Sequence, residues 1–221
     1  VNFSVSQNTS IYQRTATITV AGNSLTIYQS GASTTNTGNT SGTRFDFDGD
    51  GKADIAVYRP SNGTWYILRS SNNSFTGVGF GQAGDLITAA DFDGDKKADV
   101  AVFRPSNGVW YRLNSSNGQF AAAQFGQSGD IPSPADYDGD GRADIAVFRP
   151  SNGVWYRLNS STGQMAAVQF GQTGDVPIPG DFDGDSKSDI AVFRPSNGGW
   201  YILRSSNNSF YAANFGQIGD I

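Results

Sequence analysis

The sequence predicts an all-β protein whose repeats form a β-propeller, with four blades favoured. Three observations carry the prediction. A 45-residue unit recurs four times in register, and each unit holds three or four short runs of strand formers divided by Gly, Pro and Asn turns. All twenty acidic residues are Asp, with no Glu anywhere in the 221 residues. Glu is a good helix former, whereas Asp favours caps, turns and metal loops, so almost no helix is expected.

The repeat is read from its acidic string. DFDGD begins at Asp46, recurs at Asp91, becomes DYDGD at Asp136 and returns at Asp181. Trp65, Trp110, Trp155 and Trp200 keep the same register, as do Pro60, Pro105, Pro150 and Pro195. A Gly-Asp pair returns at Asp85, Asp130, Asp175 and Asp220.

Within the first unit, Asp54-Ile-Ala-Val-Tyr-Arg59 is rich in strand formers. Pro60-Ser-Asn-Gly63 is a turn, because Pro presets one φ and Asn-Gly tolerates positive φ. Trp65-Tyr-Ile-Leu-Arg69 is a second strand, Asn72-Asn73 a second turn, and Ser74 to Phe80 can form a third strand. In a later unit Ile131-Pro-Ser-Pro-Ala-Asp136 is extended, and its two prolines, lacking ladder donors, suit an edge. Three or four strands per unit match a propeller blade.

Residues 42–221 hold four whole units. The last stops at Ile221, short of the extended segment that precedes each acidic string, and the first begins with that piece, Gly42-Thr-Arg-Phe45. Pairing the two ends would complete one blade and leave no open edge. A longer array from which the chain was cut, or a stacked solenoid, are the alternatives.

Residues 1–31 lie outside the repeat. Val1-Asn-Phe-Ser-Val5, Ala16-Thr-Ile-Thr-Val20 and Leu25-Thr-Ile27 alternate apolar and polar, and Ala21-Gly-Asn-Ser24 turns the last two into a hairpin. Three strands cannot close a sandwich alone. Either an upstream half is missing, or these strands complete a sheet in a neighbouring molecule, a route to a homo-oligomer or filament. Residues 32–41 read as a flexible Ser/Thr-rich linker that would suit O-linked sugar.

Composition excludes several functions. There is no Cys and no His, which removes thiol nucleophiles, Cys/His zinc sites, Ser-His-Asp triads and disulfides. The net charge is −5 with no basic run that would track nucleic acid, and no apolar stretch reaches the roughly 20 residues of a membrane span. The chain opens at Val1 with no signal peptide, as a mature or trimmed secreted product would. Glycosylation sequons include Asn8, Asn39, Asn62, Asn72, Asn114, Asn159 and Asn207.

The acidic strings carry the chemistry. Asp46, Asp48, Asp50 and Asp54 stand at positions 1, 3, 5 and 9 of a tight loop. Asp91, Asp93, Asp95 and Asp99 repeat them, then Asp136, Asp138, Asp140 and Asp144, then Asp181, Asp183, Asp185 and Asp189. The carbonyl of position 7 (Lys52, Lys97, Arg142 or Lys187) can add a ligand while its side chain points to solvent. Hard calcium takes six to eight oxygens, so about four ions per chain are expected, moving the net charge to about +3. Side-chain-capped turns are the simpler reading, but four converging carboxylates repel unless a cation neutralises them.

The DxDGDxxxDIAV core, with its Phe-Gly-Gln (Phe80, Phe125, Phe170, Phe215) and Arg-Pro-Ser-Asn-Gly companions, resembles the FG-GAP, or VCBS, repeat over about 180 residues. The resemblance implies propellers stabilised by peripheral calcium, usually extracellular and adhesive or carbohydrate-associated. Integrin-type members have seven blades of longer repeats, a departure. Arg14-Thr-Ala-Thr-Ile-Thr-Val-Ala-Gly22 followed by Leu-Thr-Ile-Tyr-Gln29 resembles the last strands of a BACON domain, an immunoglobulin-like module, which implies an incomplete Ig-like sandwich.

The expected function is a non-catalytic, secreted or cell-surface structural or adhesive protein, with a fibre subunit joined through residues 1–31 as one form. A carbohydrate-binding module is the alternative, in which the four Trp would stack on sugar rings, although a fixed place in a strand favours a core role. Arg59, Arg104, Arg149 and Arg194 either line a surface or pair with Asp. An enzyme would have to use Asp85, Asp130, Asp175 or Asp220, whose equivalence argues for structure.

Overall fold

The computed structural model describes residues 14–20, 23–29, 45–218 and 220. The chain divides into two compact units, Val1–Asn39 and Thr40–Ile221. In the first, β1 (Arg14–Val20) and β2 (Asn23–Gln29) form an antiparallel hairpin whose register runs from Arg14↔Gln29 to Val20↔Asn23. The hairpin is as expected, but pairing takes Asn23 and Ser24 out of the turn and into β2. The strand expected at 1–5 and the linker at 32–41 lie outside the described residues.

The second unit is a four-bladed β-propeller. Its first blade contains β3 (Ile55–Arg59), β4 (Thr64–Leu68) and β5 (Phe75–Gly79). The second contains β6 (Leu86–Ile87), β7 (Val100–Arg104), β8 (Val109–Leu113) and β9 (Phe120–Gln124). The third contains β10 (Ile131–Pro132), β11 (Ile145–Arg149), β12 (Val154–Leu158) and β13 (Met165–Gln169). The fourth contains β14 (Val176–Pro177), β15 (Ile190–Arg194), β16 (Gly199–Leu203) and β17 (Phe210–Asn214).

Strands follow chain order and pair antiparallel in every blade. The proline-bearing segments stay two residues long at the sheet edge, pairing Pro132 with Val147 and Pro177 with Val192. Proline suits this edge because it has no N–H to donate, but it does not set the length: β6 is equally short without one, and the Ser133 N–H still donates to the Ala146 carbonyl at 2.8 Å beyond Pro132. The closing strand expected from residues 42–45 and Ile221 falls largely outside the described residues.

Each Pro-Ser-Asn-Gly turn needs its glycine. Gly63 sits at φ +62, and a Cβ there would run into the Gly81 carbonyl oxygen. The close approach lets the Phe80 N–H donate to the Gly63 carbonyl at 2.8 Å. Equivalent bonds join Phe125 to Gly108, Phe170 to Gly153 and Phe215 to Gly198.

The core lies between blades rather than within them. Trp65 and Ile67 of the first blade pack with Ala89, Val100 and Val102 of the second. Phe92 and Trp110 pack with Ile145 and Val147 of the third, and Phe148 and Trp155 with Ile190 and Val192 of the fourth. Each indole N–H is satisfied by the Phe carbonyl 15 residues on, Trp155 donating to Phe170 at 2.8 Å. Trp65, Trp110 and Trp155 are thus buried core residues, which removes them as sugar platforms; Trp200 is half-buried. Among the described residues no such cluster joins the fourth blade to the first. Ile55 and Val57 are 70% and 57% exposed, whereas their third-blade equivalents Ile145 and Val147 are at 7% and 0%.

Candidate metal centres

Each acidic string bridges the blade's first strand segment to its second. An isolated antiparallel bridge clamps the neck of the loop, Ala90↔Asp99, Ala135↔Asp144 or Gly180↔Asp189. In the first unit the Asp54 N–H donates to the Phe45 carbonyl at 2.8 Å instead. Inside the neck, the chain folds around its own carboxylates. Asp46 accepts from the Gly49 N–H at 2.6 Å through Oδ1 and from the Gly51 N–H at 2.8 Å through Oδ2. Asp54 accepts from the Phe47 and Ser70 N–H groups at 2.8 and 2.7 Å. The side-chain-capped turn is therefore present, and it fixes the orientation of both carboxylates.

Four groups of carboxylates converge, the ligand atoms of each lying within 4.8 Å of one another. They are Asp46, Asp48 and Asp50; Asp91, Asp93 and Asp99; Asp136, Asp138 and Asp144; and Asp181, Asp183 and Asp189. Each could hold a metal ion. Positions 1 and 3 recur in all four, the third member being position 5 in the first loop and position 9 in the others. Asp54, Asp95, Asp140 and Asp185 stand outside these groups of three. Asp95 accepts from the Ser115 hydroxyl at 2.8 Å, Asp185 from the Ser205 hydroxyl at 2.7 Å, and Asp140 is paired with Arg142 at 2.7 Å.

The electrostatics fit a cation. Burial pushes the Asp99 and Asp144 carboxyls up to about 6, although two backbone N–H groups favour the charged form of each. Burial likewise raises Asp91 and Asp136. The Ser71 hydroxyl holds Asp48 below the usual carboxylate range, and the Lys52 ammonium does so for Asp50. Asp183 keeps a buried Oδ1 with no hydrogen-bond partner, an acceptor left over within a converging group. A donor set of carboxylate oxygens without nitrogen or sulfur suits a hard divalent ion.

Sequence reasoning missed the serines. Ser71, Ser116, Ser161 and Ser206 donate their hydroxyls to the position-3 aspartates Asp48, Asp93, Asp138 and Asp183 at 2.6 to 2.7 Å. They arrive from the turn after the blade's middle strand, 23 residues on. The signal was a Ser-Ser pair repeating in register, hidden in a Ser-rich chain.

The position-7 cations do not all point to solvent. Lys52 is 71% exposed and reaches back to Asp50 at 3.0 Å. The stems of Lys97, Arg142 and Lys187 lie across Gly49, Gly94 and Gly139 of the preceding loop, where a Cβ would approach them to 2.9 Å. A long aliphatic stem covers bare backbone while its head stays wet, and glycine leaves room for it. The loops are also tied along the rim, Ala98 N–H donating to the Asp46 carbonyl and Ala143 N–H to Asp91, both at 2.6 Å.

The Gly-Asp turns resolve the arginine question. Arg104 grips Asp85 through two bonds of 2.8 and 2.9 Å. Arg149 grips Asp130, and Arg194 grips Asp175, at 2.7 and 2.8 Å. Each of these guanidiniums also lies over a Tyr ring at 4.2 to 4.4 Å. Arg59 lies 4.3 Å over the Tyr66 ring and donates to the Tyr66 hydroxyl at 2.9 Å. Three of the four acids an enzyme would have had to use are thus tied to structure, and Asp220 is exposed.

No curated protein matches this chain in sequence. Among solved structures, a streptogramin B lyase is similar with a TM-score of 0.52 and 11% identity, over 99% of this chain and 72% of that one. A catalytically inactive histidine variant of virginiamycin B lyase from Staphylococcus aureus, with quinupristin, is similar with a TM-score of 0.51 and 8% identity. That match covers 89% of this chain but only 61% of the other, so the chain spans about three-fifths of its length. Such identities show the fold alone. The FG-GAP-like repeat, by contrast, matches in sequence over residues 46–102, 91–147 and 136–192, each match running from one acidic string into the next unit. The chain belongs to the FG-GAP-like repeat family.

Proposed function

We propose that this propeller is a calcium-stabilised structural or adhesive module that works without catalysis outside the cell. The observation that carries the reading is the fourfold recurrence of converging carboxylates at the mouth of a backbone-capped loop. Calcium at each loop would offset the charge crowding there, held by positions 1 and 3 with position 5 or 9. The carbonyls of Lys52, Lys97, Arg142 and Lys187 would add a further oxygen. Outside the cell calcium is abundant, and module affinities near 10⁻⁴–10⁻³ M suffice. FG-GAP-like repeats are typical of extracellular or surface proteins, and among the described residues no helix is long and apolar enough to cross a membrane.

The β1–β2 hairpin is the part suited to joining subunits. As the closing strands of a BACON-like sheet it would present edge N–H and C=O groups for a neighbour's strand. Two measurements test the reading. Isothermal titration should show about four calcium ions per chain and a higher melting temperature in calcium than in chelator. No calcium uptake and an unchanged melt would overturn the metal assignment. Negative-stain micrographs in millimolar calcium should show filaments, and dispersed particles would overturn the fibre role.

A further inference from the structure

The three boundaries between neighbouring blades share an apolar seam and an ion pair, and two of them an aromatic rim. The Trp face of one blade covers the paired aliphatics of the next blade's second strand. At the rim of the boundary, Phe80 meets Phe120, and Phe170 meets Phe210, at 6.3 Å. Where the chain enters the next blade, the Asp of the Gly-Asp turn grips an arginine 19 residues on.

Among the described residues two half-boundaries stand uncovered. The first blade presents exposed Ile55 and Val57 together with Arg59, which among the described residues pairs with no carboxylate. The fourth blade presents half-buried Trp200, Phe182, and Phe215 at 81% exposure, while the equivalents Phe80, Phe125 and Phe170 are half-buried. Beyond them Asp220 is exposed and, among the described residues, accepts the Gln217 N–H at 2.9 Å and no guanidinium. Asp220 holds the place of Asp85, Asp130 and Asp175, and Arg59 that of Arg104, Arg149 and Arg194.

We propose that the fourth blade of one molecule docks on the first blade of a second copy, setting Asp220 of one on Arg59 of the next. The two surfaces are complementary in both terms, apolar against apolar and carboxylate against guanidinium. Their chemistry is that of an interface this chain already forms three times. Among the described residues no apolar cluster joins the two faces within one molecule, and a second copy would cover both without bending the three internal boundaries. The contact is heterologous, closing into a ring if the rotation allows and extending as a filament if it does not. It rests on the structural role proposed above and adds to it a subunit contact independent of residues 1–31.

Sedimentation velocity of the full chain in millimolar calcium, from micromolar to submillimolar, tests this directly. The mass should grow with concentration. Val57→Asp and Phe215→Asp, both at exposed side chains, should each weaken association by about tenfold or more while circular dichroism stays unchanged. Mixed together they should form a discrete two-chain complex, since each keeps one intact face. Arg59→Asp combined with Asp220→Arg should restore the association that either change alone removes. Assembly that survives Val57→Asp overturns this contact and leaves the structural reading standing. A monomer at every concentration overturns the contact, and if micrographs also lack filaments it overturns the structural role with it.

Discussion

Replacing Arg149 by Ala isolates the cost of one repeated ion pair, because the chain supplies its own control. The Asp130 side chain is at 0% exposure and takes two bonds from the guanidinium at 2.7 and 2.8 Å. Removing one member of such a pair strands a buried charge, at about 3–5 kcal/mol. Asp130 retains one bond, from the Gln127 N–H at 2.9 Å, which sets the expectation at the lower end, about 3 kcal/mol. Arg59 holds the same place in its repeat but is exposed, and among the described residues its guanidinium bonds Tyr66 and no carboxylate, so Arg59→Ala should cost about 0.5–1 kcal/mol. For a chain of this size each kcal/mol moves the melting temperature by about 2–4 °C. Calorimetry of dilute protein in saturating calcium should therefore show Arg149→Ala melting about 6–12 °C below wild type, and Arg59→Ala within about 4 °C of it. Equal losses for the two variants would refute the claim that the buried partner, rather than the arginine's packing, sets the cost.

Metal-free protein should lose stability as pH rises from about 4 to above 6. Asp99 and Asp144, raised to about 6 when folded, bind protons more tightly than in the unfolded chain, so their contribution is full at low pH and lost through that window. The double variant Asp99→Asn with Asp144→Asn should flatten that dependence in thermal melts, and an unchanged slope would contradict it. Gly94→Ala adds a Cβ at φ +84 that meets the Arg142 stem at 2.9 Å, whereas Gly184→Ala adds one at φ +82 with nothing within 4 Å. Urea unfolding should place Gly94→Ala about 1 kcal/mol or more below Gly184→Ala. Ser116→Ala removes the hydroxyl from Asp93 at 2.7 Å and should weaken calcium at the second loop several-fold in a titration, leaving the other loops unchanged.

Much of this architecture follows from local chemistry, which is why it can be read from the chain. Pro60-Ser-Asn-Gly63 dictates its turn, and Asp46 to Asp54 dictates a loop with its carboxylates turned inward. What escaped depends on register between strands and between blades. Ser71 reaches Asp48 only because β3 and β4 pair Ile55 with Leu68, and no local pattern announces that meeting. The stem of Lys97 lies over Gly49 because two loops in different blades abut. Ile55-Ala-Val57 and Ile145-Ala-Val147 are identical strings, yet one is exposed and the other buried. The difference lies in the neighbour, not in the residues.

Because apolar contact is made across the gap between consecutive sheets, the segment that recurs in the sequence is not the segment that packs. A lone copy would have two faces and no interior. Adding a copy in the middle of the series adds one whole interior, whereas among the described residues the first and fourth copies each have one side that no apolar cluster covers. Thermal opening should then begin at the ends and travel inward, as in a zipper, with the hydrogen exchange of β11 slowest and that of β3 fastest.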